Sequence, residues 1–219
     1  MPRKGSEIRP LVSGKTLAEL MHMKKLLFVS MIVVPALASA QDTAQVQKMF
    51  EAGRYQQVVE AAQPDAAPGV LFTAAQSQLK LGASDQARDV YGTLASRPED
   101  DVWHFIGLSG QQLVDNDLNA AAESAERAVA MDDGLVEAHY QRGLVLAKKQ
   151  DWRDAAAEFD RVSELNPSHA YAHYYGGLMH YRANRADRMA IHFEQFLKLA
   201  PDAPERPEVL QIMKTVRGR

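Results

Sequence analysis

Six histidines lie between residues 104 and 192, and two of them, His169 and His173, form an H-x3-H pair. On a helix that spacing puts both imidazoles on one face, one turn apart, where they can chelate a divalent metal. His180 is on the same face, but seven residues beyond His173 is about 10 Å along the axis, too far to share one ion. No third ligand is evident from spacing, so the pair stands as a candidate metal site without a defined cofactor. The chain has no cysteine, and H-E-x-x-H, G-x-S-x-G and glycine-rich phosphate loops are also missing, so no catalytic residue is expected. Gly107-Leu108-Ser109-Gly110 has the wrong spacing for a nucleophile turn, and Glu99-Asp100-Asp101 reads as the acidic start of a helix. The reading is of a protein that is not an enzyme and carries no cofactor.

The other conspicuous residue class is aromatic, and its use depends on which elements present it. Residues 23–40 read MKKLLFVSMIVVPALASA. Two lysines, a nine-residue run from Leu26 to Val34, a helix-breaking Pro35 and Ala38-Ser39-Ala40 before Gln41 make this a secretory signal peptide. The run is far shorter than the ~20 residues that span a bilayer. Residues 1–22 precede that signal and read as a mis-called start or an N-terminal extension. Residues 1–40 hold six of the 25 Lys and Arg and two of the 28 Asp and Glu, so the mature chain from 41 to 219 carries a net charge of −7. Clustered basic residues for a phosphate backbone are lacking, which argues against nucleic acid. With Gln41 and no cysteine after the cleavage site, no lipid anchor is expected, and the mature protein is placed in the periplasm or outside the cell with no stable membrane anchor.

The mature chain repeats itself every 34 residues. Gly143 falls on Gly177, Phe159 on Phe193, Leu165 on Leu199 and Pro167 on Pro201, and Ala87, Ala121 and Ala155 keep the same step. Helix pairs follow near 43–52 and 55–63, 68–81 and 84–96, 102–115 and 118–131, 136–149 and 152–165, and 170–183 and 186–199. The turns fall at Gly53, Gly82 and Asn116-Asp117. Beyond Pro201, Pro204-Glu205-Arg206-Pro207-Glu208 opens an amphipathic helix that closes the array.

A period of 34 with small, aromatic and proline landmarks resembles the tetratricopeptide repeat family. The pattern W-x2-L-G-x2-Y, A-x3-F, P maps in the fourth repeat onto His139, Arg142, Gly143, Leu146, Ala155, Phe159 and Pro167. The resemblance covers roughly residues 42–217. It implies an all-α fold, a right-handed α-solenoid of about five helix-turn-helix repeats near 42–66, 68–99, 102–133, 136–167 and 170–201, with a capping helix at 204–217.

In this family the first helix of each pair lines a concave groove. Carried over by phase, the groove positions are Gly69, Phe72, Gln76 and Leu79, then Trp103, Ile106, Gly110 and Leu113, then Glu137, Tyr140, Leu144 and Ala147, then Tyr171, Tyr174, Leu178 and Tyr181, of which Phe72, Trp103, Ile106, Tyr140, Leu144, Tyr171, Tyr174, Leu178 and Tyr181 are the expected contacts. Large aromatic residues dominate binding energy on rigid surfaces. The same rings could instead pack between repeats, but other residues already fill the core phase. Members that grip a Glu-Glu-Val-Asp tail use Lys, Arg and Asn where Phe72, Ile106, Tyr140 and Tyr174 stand here. An apolar peptide or an amphipathic helix is the better guest, with Lys80, Lys148 and Arg182 near one end to meet an acidic flank. The expected function is a protein-protein interaction scaffold or assembly factor of the cell envelope. A periplasmic metal-binding protein using His169 and His173, or a non-catalytic subunit of an envelope enzyme complex, are the alternatives.

Overall fold

A computed structural model describes residues 43–217, and every regular element among them is an α-helix. The expected extension at 1–22 and signal peptide at 23–40 lie outside the described residues. Helix α1 spans 43–51 and pairs with the short α2 (Tyr55–Ala61). Four longer pairs follow: α3 (Pro68–Lys80) with α4 (Ser84–Ala95), α5 (Val102–Val114) with α6 (Leu118–Met131), α7 (Val136–Lys149) with α8 (Trp152–Leu165), and α9 (Ala170–Arg182) with α10 (Ala186–Leu199). Helix α11 (Arg206–Arg217) ends the array. The architecture is an all-α solenoid.

Each pair turns at a residue that can enter the left-handed region. Gly82, Asn116, Gln150 and Asn184 lie 34 apart and have φ of +76°, +61°, +67° and +60°. Glycine and asparagine tolerate that conformation best, and one such residue lets the chain leave one helix and start the next at once. The helix starts are also locally encoded. Asp101 accepts from the Trp103 amide at 3.0 Å, so the acidic run ends as the N-cap of α5, and Asp117 accepts from the Ala120 amide at 3.2 Å to cap α6.

Helix α3 departs from an ordinary repeat. Ten consecutive residues, Gly69 to Gln78, are buried, so this helix has no solvent face. A helix buried on all sides must have its polar groups met within the protein. Its hydroxyls are absorbed locally: Thr73 donates to the Gly69 carbonyl at 2.8 Å and Ser77 to the Thr73 carbonyl at 2.9 Å. The later repeats curl around it. Phe72 reaches Trp103 of α5 and Tyr140 of α7, with ring centroids 6.4 and 6.2 Å away.

The two ends of the array then meet. Phe50 packs on Tyr171 with centroids 4.7 Å apart, Glu51 Oε1 accepts from the Ala170 amide at 3.2 Å, and the Tyr55 and Tyr171 hydroxyls lie 2.9 Å apart. Lys80 Nζ, at the end of α3, donates to Glu205 Oε1 at 2.7 Å, and Tyr171 donates to Glu205 Oε2 at 2.6 Å. The short first pair therefore covers the fifth repeat as well as the second. Burial alone would lower the Lys80 ammonium and raise the Glu205 carboxyl. The Tyr175 and Glu205 charges hold the lysine above its ordinary value, while Lys80 and Tyr171 hold the glutamate below its own.

Glu205→Gln should leave Lys80 without its counter-charge and cost about 2 kcal/mol in urea unfolding, because removing one partner of a shielded pair exposes the desolvation cost of the other. Adding Lys80→Met to Glu205→Gln should cost less than the two single changes together. An unchanged midpoint for Glu205→Gln would show that the closure does not rest on this pair.

Candidate functional site

The face expected to line an open groove is largely closed. Phe72, Ile106, Tyr140, Tyr171 and Tyr174 are all buried, at 6% exposure or less. Trp103, Leu144, Leu178 and Tyr181 are half-buried against the same core. The concave assignment by phase brings these residues together, but as the lining of an occupied face. Tyr140 meets Phe159 and Tyr175 with centroids at 5.6 and 6.0 Å, and Tyr171 meets Tyr174 and Phe196 at 5.8 and 6.0 Å. The physical reason is area: each ring removes roughly 150–250 Å² from water when covered, and Phe72 of α3 covers Trp103 and Tyr140 while Phe50 of α1 covers Tyr171.

What remains partly accessible in groove phase is Trp103 at the start of α5 and residues further along the first helices. Leu113, Leu144, Ala147, Leu178 and Tyr181 are half-buried, on α5, α7 and α9 in succession. Lys148 and Arg182 are exposed at the ends of α7 and α9. Arg182 stacks 5.8 Å above the Trp152 ring, and the two border an open cleft of about 470 Å³ with Gln150, Asp151, Arg153 and Asn184. Lys80, read from sequence beside Lys148 and Arg182, is instead spent on Glu205 and the rings of Tyr171, Tyr174 and Tyr175, 5.0 to 5.7 Å from its ammonium.

The H-x3-H pair divides its work. His169 Nδ1 accepts from the Ala172 amide at 3.2 Å as the N-cap of α9, under the Tyr140 ring at 5.0 Å. His173 turns Nε2 to the Pro167 carbonyl at 3.1 Å. Each is thus held by backbone separately, and the convergent histidines are others. His180 Nε2 and His192 Nε2 lie 3.0 and 2.8 Å from the same oxygen, Oδ1 of Asp160. Burial would raise the Asp160 carboxyl, but the hydrogen bonds and charges of His180 and His192 outweigh it and hold it far below the usual carboxylate range. Sequence reasoning missed this group because its members are 12 to 32 residues apart and lie on three helices.

Residues 140–204 match the family model described as Tetratricopeptide repeat. No curated protein matches the sequence significantly. Among solved structures, the chain is similar to TTC0263, a thermophilic TPR protein from Thermus thermophilus. The two are 18% identical, the match covers 81% of this chain and 97% of that one, and the TM-score is 0.56. It also matches YrrB, described as a TPR protein with an unusual peptide-binding site (20% identity, 82% of this chain and 88% of that one, TM-score 0.48), and MamA (17% identity, 66% and 84%, TM-score 0.46). At these identities the likeness is one of fold.

Burial, aided by the neighbouring His173, pushes the His169 imidazole down to about 4. An unfolded histidine titrates near 6.5, so between the two values the unfolded chain binds more protons. His169 therefore contributes stability that is complete above about pH 6.5 and is lost as pH falls toward 4. His169→Asn keeps a capping acceptor without a titration, so its unfolding midpoint should fall less than that of the wild type from pH 7 to pH 5. Equal losses would contradict the assignment.

Proposed function

We propose that this chain is a non-catalytic protein-protein interaction scaffold of the cell envelope, which holds an apolar peptide or amphipathic helix on its concave face. The observation that carries the reading is α3 itself: aromatic residues of the later first helices already pack on a helix whose residues Gly69 to Gln78 are all buried. A surface built to cover one such helix has the chemistry for another of the same class. Stacked repeats present extended concave surfaces of this kind.

The seat left for a partner is the strip of Leu113, Leu144, Ala147, Leu178 and Tyr181. The guest's apolar side would lie on these residues, and an acidic flank would meet Lys148 and Arg182. The envelope assignment rests on the signal-like residues 23–40 and on Gln41 following Ala38-Ser39-Ala40. No helix among the described residues is long and apolar enough to cross a membrane.

Protein recovered from the envelope should begin at Gln41 by intact mass, and recovery of chains retaining residues 23–40 in the cytoplasm would remove the envelope half of the proposal. For the binding half, wild type and a Leu178→Ala/Tyr181→Ala variant, both shown folded by circular dichroism, would be crosslinked in envelope extract. A discrete protein captured by wild type, and reduced about tenfold or more by the variant, is the expected result for loss of two anchors worth about 1 to 2 kcal/mol each. Identical capture by both would place binding elsewhere.

A further inference from the structure

The fourth and fifth repeats place different chemistry at equivalent positions. Stepping 34 residues takes His139 to His173, Arg142 to Gly176 and Glu158 to His192. In the fourth repeat the three form a closed set. His139 Nδ1 lies 2.8 Å from Glu158 Oε2, Arg142 Nη1 lies 3.1 Å from Glu158 Oε1, and His139 Nε2 lies 2.9 Å from the Asp133 carbonyl. In the fifth repeat the carboxylate has become an imidazole and the guanidinium a hydrogen atom. His173 and His192 now face each other with ring centroids 5.3 Å apart, and a Cβ at Gly176 would stand 2.8 Å from His192 Nδ1. The glycine is the room the His192 ring occupies.

The acid comes from the preceding repeat. Asp160 on α8, His180 on α9 and His192 on α10 each offer one ligand-type atom, and these atoms all lie within 4.8 Å of one another. His180 is fully buried, His192 is 6% exposed, and Asp160 opens partly to solvent. One oxygen, Asp160 Oδ1, faces both Nε2 atoms, so two imidazoles and a carboxylate from three helices converge on one small volume.

We infer that Asp160, His180 and His192 form a binding site for a divalent transition-metal ion, taken through one carboxylate oxygen and the two Nε2 atoms, with a fourth position left to water. Two imidazoles and one carboxylate suit zinc, cobalt, nickel or copper, whereas calcium and magnesium require oxygen cages. Bonds of about 2.0–2.2 Å in a tetrahedral site set neighbouring ligand atoms roughly 3.4 Å apart. The present separations of 2.8 and 3.0 Å need to open by only about half an ångström. Arg188 Nη1 lies 3.8 Å from Asp160 Oδ2 on the solvent side. The site ties three helices of two repeats together, and it shares no residue with the strip proposed to bind a partner.

The test is a titration of the metal-free protein with Co(II), followed by its visible spectrum and by calorimetry. One equivalent should bind with the strong visible bands of a low-symmetry four-coordinate ion, and zinc should displace it. Asp160→Asn and His192→Gln should each weaken binding by at least about tenfold, while His169→Gln should bind as wild type does, with circular dichroism confirming that each variant is helical. No spectral change or heat for the wild type would overturn the inference, whatever the variants do. Loss in His169→Gln equal to that in Asp160→Asn would overturn it in favour of the H-x3-H pair.

Discussion

A helix buried on every side cannot be left at the edge of a solenoid, and α3 is such a helix. Its ten buried residues from Gly69 to Gln78 are covered by the flanking helices α2 and α4 and by rings of the later first helices. Phe72 is the contact that shows this most directly, touching rings on both α5 and α7. Lys80 and Glu205 fasten the wrapped arrangement from the far end of the same helix. Desolvating both charges is tolerable there because the pair is complete, and because Tyr171 supplies a further donor to the carboxylate.

The aromatic face therefore has a double character. Its rings are the residue types that give a binding surface its strength, and most of that strength is already directed inward. The apolar residues Leu113, Leu144, Ala147, Leu178 and Tyr181 of α5, α7 and α9 stay half-buried. A partner on that strip would extend a core that is already formed, with little ordering of the scaffold itself.

The repeats have diverged in their polar chemistry more than in their packing. Phe159 and Phe193 occupy the same place and both are fully buried, each against a glycine of the preceding helix. Between the same helices, one repeat completes a His-Glu-Arg set and the next assembles imidazoles around a carboxylate borrowed from its neighbour. Packing volume is constrained by the 34-residue step. The polar residues beside it are free to change so long as their hydrogen bonds or ligands are met.

The helices, their order and their turns were legible in the sequence because each is decided within a few residues. Gly82 and Asn116 mark left-handed turns, Asp101 caps a helix, and the 34-residue step of Gly143 and Phe159 onto Gly177 and Phe193 reports stacking between neighbours. Helical phase pointed to Phe72, Trp103 and Tyr140, whose rings meet, but not to Tyr175, which packs against Tyr140, Tyr171 and Tyr174. Whether the concave face is open was not legible. The contacts that close it join Tyr55 to Tyr171 and to Glu205 across 116 and 150 residues, and Lys80 to Glu205 across 125. Superhelical curvature sums a small rotation from every repeat, and no local pattern encodes that sum. The same holds for Asp160, His180 and His192: spacing along the chain pointed to His169 and His173, and only the packing of α8, α9 and α10 brings two imidazoles onto one carboxylate oxygen.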